Sequence, residues 1–575
     1  MSSQKNIVPA ADIEGLIAQG RPIVVHEGHA LDLGEWINSH PGGRLAILHM
    51  VGRDATDEIN IYHSARTVLC MKKFRMGRIH EPWTNLEPPI RRPDFYTNLT
   101  AQKERAKERA KELAIAHEKP SRRTRSVDLG SAAAILNKKL STTATCTTTT
   151  ASCTRRTSAN ISADPEKLPL IPEPDSAFCK KTHRENYAIE MEQQEIAQGL
   201  LDNPAVDAET QRAIVHEYRA LHQQIKDEGL YECRYSEYGK ECIRYSILFA
   251  IFMYFLLAKW YLTSALFLGM FWQQIMFTAH DAGHMGITGH FIPDTIVGAF
   301  IADFCCGLSI GWWKSSHNVH HLITNMPEHD PDIQNIPLFS TSPTYMKSIL
   351  SSFYNFSFLW DGAAEVLIPI QKYTYYPVMA LARFNLYMLS WLHLMSPRAA
   401  QLGAAWWTRP LEIVFMACYW YIFGYCLVWS YLPSWPIRIA FVLISHMMTM
   451  ILHVQITLSH WGMPTSDLGP VESFPQRQLR TTMDVDCPAW LDFFHGGLQF
   501  QAVHHLFPRV PRHNLRRGQA LVREFCERTQ LKYQCYGFVK GNGIVVGRLD
   551  EIAKQVKTLV DCQKYMSETG ESGLH

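Results

Sequence analysis

The 14 cysteines of this 575-residue chain lack any paired spacing. No Cys-x-x-Cys occurs, and the one adjacent pair, Cys305–Cys306, sits inside an apolar run. That argues against a zinc ribbon or a disulfide framework and points to a reducing compartment. Net charge is also scarce. The 56 basic and 54 acidic residues leave +2, so no global field draws the chain to nucleic acid. The N-terminus, MSSQKNIVPAADIE, has no basic start followed by an apolar stretch, so no signal peptide is expected and the N-terminal half should stay in the cytosol. The length exceeds what one ordinary core holds, and two or more units are expected.

What is present divides unevenly along the chain. Residues 1–95 read as a compact unit ending near Pro88–Pro89. Residues 96–180 follow as a flexible linker, with a charged helix at Glu104–Leu113 and the low-complexity run STTATCTTTTASC at Ser141–Cys153, which cannot bury a core. Residues 181–575 form the third part. It opens on a helix that Asp207 starts and Gly229 ends, with Ile214, Tyr218, Leu221 and Ile225 on one stripe. Four segments are apolar enough to be read as bilayer spans, at about 243–258, 260–279, 411–431 and 436–458, in two hairpins. A run at 294–311 containing Asp303 and the stretch Tyr373–Leu394 are expected to be interfacial or buried helices instead.

The segment INSHPGG (Ile37–Gly43) precedes GRDATDE (Gly52–Glu58) and His63. Residues 8–82 resemble the cytochrome b5 family on these motifs, which implies a small α+β domain clamping haem b between His40 and His63. Two axial imidazoles leave no position for oxygen, so such a haem carries single electrons. His26, His29 and His49 are read as surface or core histidines.

The chain has 26 histidines, and three tight clusters mark its second half: HDAGH (His280–His284), HNVHH (His317–His321) and QAVHH (Gln501–His505). At helical spacing His280 and His284 share a face, as do His317 with His320 or His321 and Gln501 with His504 or His505. Imidazole suits iron, zinc or copper, so residue type alone does not choose the metal. Three doublets near predicted membrane boundaries are too many for scattered core histidines.

Residues 230–545 resemble the membrane fatty-acyl and sphingolipid desaturases, an all-α membrane fold with a cytosolic, histidine-rich diiron cap. Gln501 at the first position of the third box, with the fused haem unit, resembles the front-end subgroup. HNVHHLITNMPEHDPDIQNIPLF, QITLSHWGMPTSDLGPVESF and TTMDVDCPAWLDFFHGGLQFQAVHHLFPRVPRHNLR look like fungal sphingolipid Δ8-desaturases. The resemblance implies two non-haem irons held by His280, His284, His317, His320, His321, His504 and His505, with Gln501 as ligand or near-ligand and His460 as a further ligand. His446 and His453, deeper on the same face, are expected to be hydrogen-bonded within the bundle. His495 stays open between ligand and neighbour. Asp281, Asp330 and Asp332 are expected to orient imidazoles.

Topology offers a check. With two spans before the first box and two between the second and third, all boxes face the haem unit's side, provided 294–311 does not cross. Removing hydrogen from an unactivated methylene pair requires a redox metal. The expected reaction is O2-dependent desaturation at C8–C9 of the sphingoid base of ceramide. The fused haem supplies electrons, and a cytochrome b5 reductase recharges it from NADH. About 60 flexible linker residues would reach roughly 40 Å, an effective concentration on the order of millimolar. The expected location is the endoplasmic reticulum membrane, with haem unit and boxes facing the cytosol, so the sequons at Asn98 and Asn160 should be unmodified. The alternatives are a front-end Δ6 or Δ5 fatty-acyl desaturase, a lipid hydroxylase on the same scaffold, and a membrane-anchored electron carrier whose boxes bind metal structurally.

Overall fold

The computed structural model describes residues 7–80, 82–91, 182–400 and 403–570. The Glu104–Leu113 helix, the Thr-rich run and both sequons lie outside them.

In the N-terminal unit a four-stranded sheet runs β1-β4-β3-β2, from β1 (Ile7–Val8), β2 (Ile23–His26), β3 (His29–Asp32) and β4 (Arg75–Ile79). β2 and β3 form an antiparallel hairpin, and β1 pairs parallel to β4. Strand alternation sends Ile23 and Val25 to one face, against Ile13 and Ile17 of α1 (Ala10–Ala18). Val24 points to the other face and joins Ile37 and Ile47 beneath the histidine turn. Helices α2 (Arg44–Leu48), α3 (Thr56–Tyr62) and α4 (Ala65–Met71) surround that second cluster.

The rest is helical. A reciprocal cap between Thr182 and Glu185 starts α5 (His183–Asp202). Asp207 caps α6 (Ala208–Asp227), and its predicted stripe is buried against Leu479, Val503, Leu506 and Phe525. Next come α7 (Tyr235–Leu257) and α8 (Tyr261–Gly283), a hairpin of two 23-residue helices. Each is about 35 Å long, enough to cross hydrocarbon by length. By length and apolarity together, only two helices among the described residues qualify as spans, Gly403–Tyr431 and Trp435–Leu458. The expected pair at 243–258 and 260–279 falls outside that set. Lys240, Glu241 and Arg244 charge the start of α7, and Gln273, Gln274 and Asp281 make α8 polar toward its end.

The 294–311 run is not one helix. α9 (Phe291–Ala299) continues as a π-helix over Phe300–Cys305, the chain turns by 116°, and α10 (Ile310–Leu322) departs in a new direction. Gly307 makes the turn at φ +71 against Tyr419, whose ring would stand 2.3 Å from any Cβ there. α11 (Gln371–Met395) contains the Tyr373–Leu394 stretch. Its Arg383 is buried, stacked on Trp272 and donating to the Tyr387 hydroxyl and the Cys306 carbonyl. The 411–431 segment corresponds to α12 (Thr408–Tyr419) plus a π-helix, Trp420–Tyr431. The 436–458 segment is two helices, α13 (Trp435–Met447) and α14 (Met450–Leu458), broken at Met448–Thr449. Besides a one-turn helix at Asp492–His495, the body ends on α15 (Phe474–Thr481), α16 (Gln501–Leu506), α17 (Leu515–Thr529) and the long α18 (Phe538–Thr569).

Candidate active site

The described residues hold two imidazole sites. In the N-terminal unit His40 follows a short turn and His63 follows α3, and their ring centroids stand 6.0 Å apart. A single iron fits that gap, since metal–imidazole bonds are about 2.0–2.1 Å long. Each ring is oriented by its own backbone. His40 Nδ1 donates to the Gly43 carbonyl at 2.9 Å and His63 Nδ1 to the Ile59 carbonyl at 3.0 Å, which frees both Nε2 atoms for a metal. Only glycine fits at 42, where a Cβ would stand 2.7 Å from His40 Cε1. Burial lowers the His40 pKa, and burial plus the neighbouring His40 brings His63 to about 4. Both rings are therefore neutral and able to ligate at neutral pH.

In the body, three boxes on α8, α10 and α16 converge with the chain just after α14. Ring nitrogens of His280, His284, His317 and His504 lie within 4.8 Å of one another, and so do those of His320, His460 and His505. His321 sits between the groups, stacked on His505 at 4.1 Å, with its Nε2 2.9 Å from that of His317. Neighbouring ligands on one ion are separated by about that distance when their bonds are about 2.0–2.1 Å.

The second group is fully oriented. His320 Nδ1 donates to Asp330 at 2.8 Å, His505 Nδ1 to the Gln478 side-chain oxygen at 2.9 Å and His460 Nδ1 to the Thr481 carbonyl at 3.4 Å. Nε2 of His284, His504 and His505 and Nδ1 of His321 are buried without any hydrogen-bond partner. Buried polar atoms are rarely left so, and several converging imidazole lone pairs are the donor set of a transition metal. Burial lowers the pKa of His284, His321, His504 and His505 well below the ordinary value, and the neighbouring imidazoles add to it. His320 is the exception. Burial opposes its charge, but Asp330 and then Asp332 outweigh it and hold the pKa up to about 9.

Asp330 and Asp332 thus flank the box, the latter 3.7 Å from His320 and 3.9 Å from His317. Asp281 behaves differently from its expected role. Its Oδ2 accepts from Arg512 at 2.7 Å and from Tyr238, while Oδ1 stands 3.6 Å from His280. Gln501 is buried one turn before His504 and His505 on α16. His495 lies apart from both groups, accepting from Gln455 at 2.8 Å. His446 meets the Tyr387 hydroxyl and His453 the Met379 carbonyl, away from the clusters.

Residues 10–80 match the family described as cytochrome b5-like heme/steroid binding domain, and residues 258–537 match the family described as fatty acid desaturase. A delta 8-(E)-sphingolipid desaturase of Emericella nidulans is 44% identical over 563 residues, covering 98% of this chain and 97% of the relative. The chain belongs to the fatty acid desaturase family. A Candida albicans protein of the same description is 42% identical across 98% of both chains. A delta(8)-fatty-acid desaturase of Helianthus annuus is 35% identical over 60% of this chain and 75% of its own.

Sequence reasoning missed three residues that shape this desaturase's site. Trp313 stacks on His317 at 4.3 Å and walls the first group. Gln478 bonds His505 and also donates to the His321 carbonyl at 2.7 Å, joining the second and third boxes. Arg512, seven residues after His505, ties Asp281 of the first box to Glu241 of α7. Arg512 alone carried a signal, as a cation in a run rich in arginine, RVPRHNLRR.

Proposed function

We propose that this chain is an O2-dependent Δ8-desaturase of the sphingoid base of ceramide, with an N-terminal haem domain as its own electron donor. The observation that carries the chemistry is the pairing of imidazole groups, His280/His284/His317/His504 and His320/His460/His505, with partnerless nitrogens aimed inward. His321 lies between them, and Gln501 would complete the set. Two non-haem irons held there would supply the oxidising power that side chains lack. The balance is one saturated C8–C9 bond, O2, two electrons and two protons giving one double bond and two waters.

The protein's own part is to fix its ligands. Burial keeps His284, His321, His504 and His505 unprotonated, and Asp330, Gln478 and the Thr481 carbonyl set which nitrogen His320, His505 and His460 present. His40 and His63 would clamp haem b, and the two electrons would pass through it singly from a cytochrome b5 reductase using NADH. The 116° turn at Gly307 supports a re-entrant reading of residues 291–322. With the α7–α8 hairpin counted as two crossings, the three boxes then share one face of the endoplasmic reticulum membrane with the haem domain, toward the cytosol.

The choice of sphingolipid rests on the relatives of matching length. Lipid mass spectrometry of a strain lacking its own Δ8-desaturase tests it: expressing this chain should produce 8-unsaturated sphingoid bases. Unsaturated fatty acyl groups or hydroxylated bases in their place would move the assignment to the fatty-acyl or hydroxylase reading. In the same strain without free cytochrome b5, His40→Ala or His63→Ala should abolish the product.

A further inference from the structure

We infer that the rim of the N-terminal domain carrying His40 and His63 is a docking face for the body of the same chain, and that docking closes this rim to any external protein reductant. The inference rests on the haem reading above and concerns where electrons can enter and leave.

Both lips of the histidine cleft touch the body. Asn318, inside the second histidine box, donates to the Gly42 carbonyl at 3.4 Å, and Arg509 donates to the His63 carbonyl at 2.8 Å. Arg219 of α6 pairs with Asp57 of α3 at 2.7 Å. The contact is apolar as well as charged. Ile61 is fully buried in the body's cluster with Ile214, Tyr218 and Leu506. In exchange, Leu322 of α10 packs on the N-terminal cluster around Ile37 and Ile47. A fully buried Ile61 on one side and a half-buried Leu322 on the other mark a fitted surface rather than a glancing one.

The junction also joins the two sites. The Tyr62 ring lies edge-on to His321 at 6.2 Å, and the next residue is His63. Two consecutive residues thus reach one to each imidazole site. An external reductase approaching the clamp between its two histidine loops needs the same lips that Asn318 and Arg509 hold. Delivery and recharging therefore belong to two arrangements, docked and lifted.

The test uses full-length protein loaded with haem and iron. In Arg219→Lys, a zero-length carbodiimide should join the introduced amine to the Asp57 carboxyl with loss of water, seen as a cross-linked peptide by mass spectrometry. In the cross-linked fraction, haem reduction by NADH and the flavoprotein reductase, followed by visible absorbance, should fall about tenfold or more. Reduction by dithionite, a small ion, should keep its rate. Absence of the 57–219 cross-link, or undiminished reduction by the reductase, overturns the inference. Protein showing no ferrous haem spectrum with dithionite overturns the haem reading instead, so the two failures are distinguishable.

Discussion

The buried Asp330 carboxylate accepts a hydrogen bond from His320 Nδ1 at 2.8 Å, so Asp330→Asn preserves shape while removing the charge that orients this ring. Loss of such a partner weakens metal sites by about 10–100-fold, and iron titration of the purified variant should show that loss in one of two sites. His460→Ala should cost an iron for a more direct reason, whereas His495→Ala, which disturbs Gln455 and the Phe538 ring, should keep full iron content by elemental analysis. Glu58 gives a pH test. Burial, then the nearby Asp57, raises its pKa to about 7. Its folded pKa thus exceeds its unfolded one, so its contribution to stability is complete below about pH 4.5 and is lost as pH rises through 7. Thermal melts of Glu58→Gln should therefore lack the decline that the parent protein shows between pH 5 and 7. The box histidines and the HPGG turn were legible because chelation imposes local spacing. Gln478 was not, because its link to His505 spans 27 residues and exists only after folding. His460 lay between these cases: a lone histidine in sequence, made readable by the family pattern around LSH.

At the scale of elements, Gly307 governs how α10 leaves the π-helix. Gly307→Ala meets both an unfavourable φ and the Tyr419 ring, a combined cost of about 2–4 kcal/mol. A lower melting temperature together with reduced iron content is expected, because α10 carries the second box; unchanged iron would mean that the turn does not set the box. Helix α6 was fully readable, since its cap, stripe and stop are all local. The 294–311 run was expected not to cross, but composition could not register the change of direction made there by one glycine against a ring over 100 residues away. The break between α13 and α14 was equally hidden, as Met448 and Thr449 carry no breaker signal. Apolar runs reported where helices lie and said little about how they bend.

At the scale of the molecule, the proposed architecture predicts about two non-haem irons per haem, measurable by chelator assay against the haem spectrum. A structural electron carrier would hold haem iron alone. The cytosolic orientation predicts no glycosidase-sensitive mass at Asn98 or Asn160. A final consequence lies in Arg383. A buried arginine is tolerated only when its donors are satisfied, and this one is accommodated by Trp272 and the Cys306 carbonyl, made earlier, and by Tyr387. Tyr387 in turn leans on Tyr419 and His446, which the ribosome has yet to make when helix 371–395 emerges. That helix therefore cannot settle as it is born. A nascent chain stalled after residue 400 carries a half-solvated cation and should be the fragment that cellular quality control clears fastest.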